Sequence, residues 1–223
     1  MAVATYRSTI TADQAIAFTS ASYTPDSGGS LIGNAADPTL GTTWELNGAN
    51  YMIHQAFFGF DLTSATTGTA IPAGATVTAV TLNMYLHEHG STARTKDVYA
   101  YDWSTAVDTG DWRTVSQLQS LYDSGSGLVA SYNIPSGWGG DEGSHDFTSG
   151  GGAVDAVTAA IGGTLRLIIV DAAYRAGSTP TDRGYSSWRS ANYETEANRP
   201  LLTVEYTTHP DFTGIRVTRH IGV

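Results

Sequence analysis

From Val77 to His89 the chain alternates apolar and polar residues almost without interruption. Val80, Leu82, Met84 and Leu86 fall on one side, and Thr81, Asn83, Tyr85, His87 and His89 on the other. A period of two marks a strand with one buried face, because successive side chains point to opposite sides of an extended backbone. A helix, with about 3.6 residues per turn, would scatter the same apolar groups around its circumference. Such a face needs a second apolar layer to cover it. Candidates for that layer recur along the chain. Residues 44–62 read as two strands, with Trp44, Leu46, Phe58, Phe60 and Leu62 at alternating positions. Residues 164–170 are apolar on both faces for part of their length, as the centre of a sheet requires. Further strands are expected over 98–103, 128–134 and 201–206, after a first strand region at 4–20. Residues 21–43, rich in Ser, Gly, Asp, Pro and Thr, read as loop. Helical spacing is confined to Val115, Leu118, Leu121 and Tyr122, and to Val154, Val157, Ala160 and Ile161.

Composition narrows the function classes. Acidic residues number 21 against 11 basic ones, a net charge of −10. Binding nucleic acid by phosphate neutralisation needs a basic face, so no nucleic-acid partner is expected. The carboxylates either keep the surface soluble by like-charge repulsion or gather a hard cation such as calcium. With no cysteine, disulfides and thiolate metal sites are excluded. No stretch approaches the roughly 20 apolar residues of a membrane span. The first ten residues lack the charged start and apolar run of an export signal.

Three separated segments carry a resemblance. They are Phe57-Phe58-Gly59-Phe60-Asp61-Leu62, the run from Ile71 to Leu86 that begins Ile-Pro-Ala-Gly-Ala-Thr-Val, and Arg199-Pro200-Leu201-Leu202-Thr203-Val204-Glu205-Tyr206. In that order the chain resembles the DNRLRE family, a carbohydrate-binding-like β-sandwich of surface and secreted proteins, over about residues 10–206. The acidic-aromatic turn Thr109-Gly110-Asp111-Trp112-Arg113-Thr114 and the short helical stretch before the strand at 164–170 are similar to the family as well. The resemblance implies a binding or scaffold module. The expected fold is all-β, an antiparallel jelly-roll β-sandwich with one or two short helices, near 115–122 and 153–161. Val80, Leu82, Met84, Leu86, Leu167, Ile169, Leu202 and Val204 are expected between its sheets. Residues 1–206 form the module and 207–223 a separate C-terminal tail.

Five tryptophans offer flat faces of the kind that stack on sugar rings. Trp138, flanked by Gly137, Gly139 and Gly140, is the leading ligand-binding candidate, with Trp112 and Tyr51 beside it; Trp44 and Trp188 read as core. Asp108, Asp111, Asp141 and Asp146 are the candidate calcium ligands. His87 and His89 share a strand face and suit either a zinc chelate or an exposed polar face. His145-Asp146, near Asp141 and Glu142, suits an oriented base or a solvated loop. No Gly-x-Ser-x-Gly elbow is present, and no catalytic residue is assigned. In the tail, Ile215, Val217 and Ile221 alternate with Arg216, Thr218 and the Arg219-His220 pair, a pattern that suits strand addition to a sheet edge and therefore assembly contacts.

A module of a type displayed outside cells, without cysteine or export signal, suits a virion protein assembled in a host cytoplasm. The expected function is a structural virion surface protein, on capsid or tail, that attaches to shell or tail proteins in multiple copies and adheres to host glycans. The alternatives are a free extracellular carbohydrate-binding module and a polysaccharide hydrolase working through His145 and Asp146.

Overall fold

A computed structural model describes residues 1–8, 14–32, 38–124, 127–137 and 139–208. Its strands are β1 (Ala2–Arg7), β2 (Gln14–Ser20), β3 (Ser30–Ile32), β4 (Thr39–Asn47), β5 (Asn50–Asp61), β6 (Thr76–His89), β7 (Arg94–Ala100), β8 (Leu128–Ile134), β9 (Gly139–Asp146), β10 (Thr148–Ser149), β11 (Thr164–Asp171), β12 (Tyr185–Arg189) and β13 (Leu201–Thr207). Three helices accompany them: α1 (Val115–Asp123), α2 (Ala153–Ala160) and α3 (Ala172–Arg175).

The fold is all-β, an antiparallel sandwich made by one curled 13-stranded sheet folded onto itself. Two long strands do the folding. Along one edge of β6, β13 pairs from Thr76 to Asn83 and β12 takes over from Leu86 to His89, while β9 runs along the other edge. Along one edge of β5, β4 pairs from Asn50 to His54 and β11 from Ala56 to Asp61, with β2 opposite. Where one neighbour replaces another, the two layers part. A β-bulge between Leu86 and Glu88 adds bend at that point on β6.

The inner faces meet in a continuous apolar core. All eight residues expected between the layers lie there, from Val80, Leu82, Met84 and Leu86 on β6 to Leu167 and Ile169 on β11 and Leu202 and Val204 on β13. Strand β11 is central, between β5 and β7, and is buried on both faces. Its outer side chains Ile168 and Val170 join a second apolar cluster with Phe57, Tyr99, Trp103, Trp112, Leu118 and Tyr174. That cluster is roofed by α1, α3 and the connection at 101–114.

Three local expectations are corrected. A third helix, α3, forms because Asp171 caps it, accepting from the Ala173 N–H at 2.9 Å. Residues 21–43 contain β3 and the start of β4, which backbone pairing with β2 and β12 holds in place without an apolar side-chain pattern. His89 does not extend the exposed face of β6. Past the bulge it turns inward, 3% exposed, with Nδ1 2.9 Å from the Gly90 carbonyl, so His87 and His89 do not present a joint chelate.

Candidate functional site

Outside the second apolar cluster lies a groove of about 430 Å³ lined by Tyr101, Arg113, Gln117, Ser120, Leu121 and Ser124. Tyr101 leaves the end of β7 with its N–H bonded to the Arg166 carbonyl at 3.1 Å and its ring 6.3 Å from that of Phe57. Its hydroxyl donates to Asp111 Oδ1 at 2.9 Å. Burial, and next that bond to Asp111, push the phenol up to about 12, so it stays a neutral donor at physiological pH. Asp111 and Asp108 form a capping box around the turn at 109–111: Asp108 Oδ1 accepts from the Gly110 N–H at 2.7 Å, and Asp111 Oδ2 from the Asp108 N–H at 2.9 Å.

That turn delivers Arg113. Its guanidinium lies 4.3 Å above the centre of the Tyr101 ring and donates to the carbonyls of Asp111 (Nε, 3.1 Å) and Gly110 (Nη2, 2.7 Å). Its backbone is clamped from inside the sandwich by Gln55 on β5, a fully buried amide. Gln55 Nε2 donates to the Arg113 carbonyl at 2.6 Å, and Gln55 Oε1 accepts from the Arg113 N–H at 2.9 Å. The Tyr174 hydroxyl donates to the same carbonyl at 2.9 Å. A second capping box, between Thr114 and Gln117, starts α1, whose Leu121 and Ser120 complete the groove. The result is an apolar concavity edged by a fixed ring, a fixed cation, an amide and hydroxyls, which matches how proteins bind neutral polar rings such as sugars. Tyr101 also borders a smaller hollow of about 370 Å³, lined in part by alanines; its cation, Arg166, is engaged by Asp102 at 3.4 Å and by the Trp103 ring.

The sequence-derived candidates scatter. Trp138 and the tail residues Ile215, Arg216, Val217, Arg219 and Ile221 lie outside the described residues, as does the side chain of Asp141. Trp112 is no platform: it is 5% exposed, packed 6.0 Å from Tyr174, and leaves so little room that a Cβ on Gly29 would stand 2.9 Å from its ring. Tyr51 is half-buried beside Tyr23, ring centres 5.4 Å apart. The carboxylates of Asp108 and Asp111 hold the capping box, Asp111 also accepting from Tyr101, and Asp146 on β9 accepts from Asn83 Nδ2 at 2.9 Å. Among the described residues no group of three or more His, Cys, Asp or Glu side chains comes together to hold a metal ion. His145 and Asp146 are consecutive on β9 and so point to opposite faces; the imidazole stacks 5.0 Å from the Tyr132 ring, and its buried Nε2 has no hydrogen-bond partner among the described residues.

A second polar constellation sits inside the sandwich. Lys96 on β7 is 0% exposed and donates to Asp171 Oδ2 at 2.9 Å and to the Thr42 carbonyl at 3.3 Å; Asp171 is 2% exposed. Glu45 and His54 share this pocket electrostatically. Burial pushes the Lys96 ammonium down, against the pull of Asp171, and pushes the Glu45 carboxyl up. His54 is driven down to about 4, first by burial and then by the Lys96 charge. One face of β7 thus holds Lys96, while on the other Asp97 pairs with Arg175 Nε at 3.0 Å and accepts from the Tyr99 hydroxyl at 3.1 Å.

No protein-family model matches the chain, and no curated protein matches it.

Proposed function

We propose that this chain is a non-catalytic, glycan-adhesive β-sandwich module of a surface assembly, in the manner the likeness to DNRLRE sandwiches suggests. The groove at Tyr101 and Arg113 carries the reading. An aromatic ring capped by a rigid guanidinium, the apolar wall at Leu121 and a rim of amide and hydroxyl groups supply apolar and hydrogen-bonding contacts of the kind a pyranose takes. The buried Gln55 clamp holds Arg113 in place before a ligand arrives, which lowers the ordering cost of binding. The test is a glycan array probed with the wild-type chain, Tyr101→Ala and Arg113→Ala. Binding by wild type and its loss in both variants, with unchanged melting, is the expected result. An array without a binder, or binding that both variants retain, removes the groove from the account.

The proposed setting is a virion, on capsid or tail. The observation that favours assembly is at the sheet edge. The outer edge of β1 is covered by the 66–67 segment, whose Thr66 and Thr67 bond to Thr5, but among the described residues β3 pairs with β2 alone, and Leu31 on it is 40% exposed. An open edge with apolar side chains is a template for a further strand. The alternating tail at 215–221 is proposed for the same role. Particles imaged by cryo-microscopy should show the chain at symmetric positions with β3 in contact; its absence there would refute the setting while leaving the glycan reading to the array.

A further inference from the structure

The groove does not use the Lys96 constellation, and its geometry is unusual for an ion pair. Lys96 and Asp171 are directly opposite partners on the antiparallel neighbours β7 and β11, both facing the core. Two formal charges are buried there with few partners. The ammonium has three N–H groups, and its contacts are Asp171 Oδ2 and the more distant Thr42 carbonyl. Burying a charge pair this deeply costs free energy that its mutual attraction only partly returns.

We propose that Lys96 and Asp171 condense into an intramolecular amide bond that joins β7 covalently to β11. Nζ of the neutral amine adds to Cγ of the protonated Asp171 carboxyl, and the Cγ–Oδ2 bond breaks. Of the three ammonium hydrogens of the starting ion pair, one stays on the amide nitrogen and two leave with Oδ2 as water. Nothing is oxidised or reduced, and no co-reactant is consumed. The product removes both buried charges. Its polar atoms already have partners: Oδ1, which becomes the amide oxygen, accepts from the Ala173 N–H at 2.9 Å, and the remaining N–H has the Thr42 carbonyl at 3.3 Å. The burial that pushes Lys96 down works toward the neutral amine that the addition needs. Glu45, 3% exposed with Oε2 lacking a hydrogen-bond partner among the described residues, acts on Lys96 through its charge and is assigned the role of proton carrier for the departing oxygen. His54, Arg94 and, through Glu45, Arg183 are further titratable groups acting on this pocket.

Intact-mass spectrometry of the folded full-length chain tests the bond. The expected mass is one water below that of the sequence, after allowance for any loss of Met1. In a tryptic map Lys96 should resist cleavage and its peptide should be joined to the one containing Asp171. Lys96→Ala should restore the sequence mass, whereas Asp171→Asn should show a deficit of one ammonia instead of one water. Glu45→Gln should cross-link more slowly than wild type; an unchanged rate removes Glu45 from the step. A wild-type chain at its full sequence mass after prolonged incubation in the folded state overturns the proposal, as does a water loss that maps elsewhere. The wild-type result decides the matter even if Lys96→Ala fails to fold.

Discussion

Gln55 shows how much one interior side chain decides. A buried primary amide that both donates to and accepts from the backbone of Arg113 behaves like one rung of a sheet ladder, linking β5 to a turn 58 residues away. Gln55→Leu leaves the Arg113 N–H without that partner in a part-buried setting, and each unsatisfied buried group of this kind costs about 1–3 kcal/mol. We expect chemical denaturation to show a loss of that order, together with weaker glycan binding; undiminished stability would mean that the turn at 109–114 holds itself. His54 sets a pH dependence. Its folded-state pKa of about 4 lies below the ordinary histidine value of 6.5 because burial disfavours the imidazolium. Between those values the unfolded chain takes up a proton that the folded chain refuses. Stability is therefore retained above the unfolded value and lost as pH falls from there toward 4, by up to about 3 kcal/mol. His54→Gln should flatten denaturation midpoints across that window; an unaltered slope would assign the acid sensitivity elsewhere. An amide at Lys96 would remove only the lesser cause of the shift and leave burial in place.

Among the elements, those built on alternating side chains were legible and those built on backbone pairing alone were not. Strands β6, β11 and β13 announce themselves because their inner residues must all be apolar for the layers to meet. Leu82, 1% exposed on β6, is the clearest case: Leu82→Ala should cost about 2–5 kcal/mol in equilibrium unfolding, and a change well below that range would place it on the wrong face. Strand β9, Gly139–Asp146, has no such pattern and is defined by its register with β6. Helix α3 depends on a capping aspartate whose other oxygen is held by a lysine 75 residues earlier. In the candidate site, the turn at 109–114 was visible as a motif, but its meaning inverted. Trp112, the apparent platform, is the wedge that anchors the turn against Tyr174, and its neighbour Arg113 faces the groove with Tyr101. Nothing local distinguishes a tryptophan that packs inward from one that faces solvent; Gly29 and Tyr174, distant in sequence, decide it. Lys96 was hidden for a similar reason, since a lysine in a strand reads as a solvent-facing residue until both its neighbours are known to be covered.

At the scale of the whole molecule, the pairing of β1 with β13 places Ala2 directly opposite Tyr206. Tension applied between these two points does not slide the strands past each other, which would load every hydrogen bond of the pair at once. It opens them from one end like a zip, one bond after another, so yielding should begin at low force. The proposed covalent joint between β7 and β11 would then govern how far the chain can be drawn out, because the residues between Lys96 and Asp171 would be bypassed and could not lengthen. Single-molecule pulling through Ala2 and Tyr206 should therefore give an early, soft release of β1 and a final contour length short by the segment 96–171. Full extension of that segment would show the joint to be absent. A module of this kind would yield at its rim and hold at its centre, a useful combination for something that must stay attached while its surroundings move.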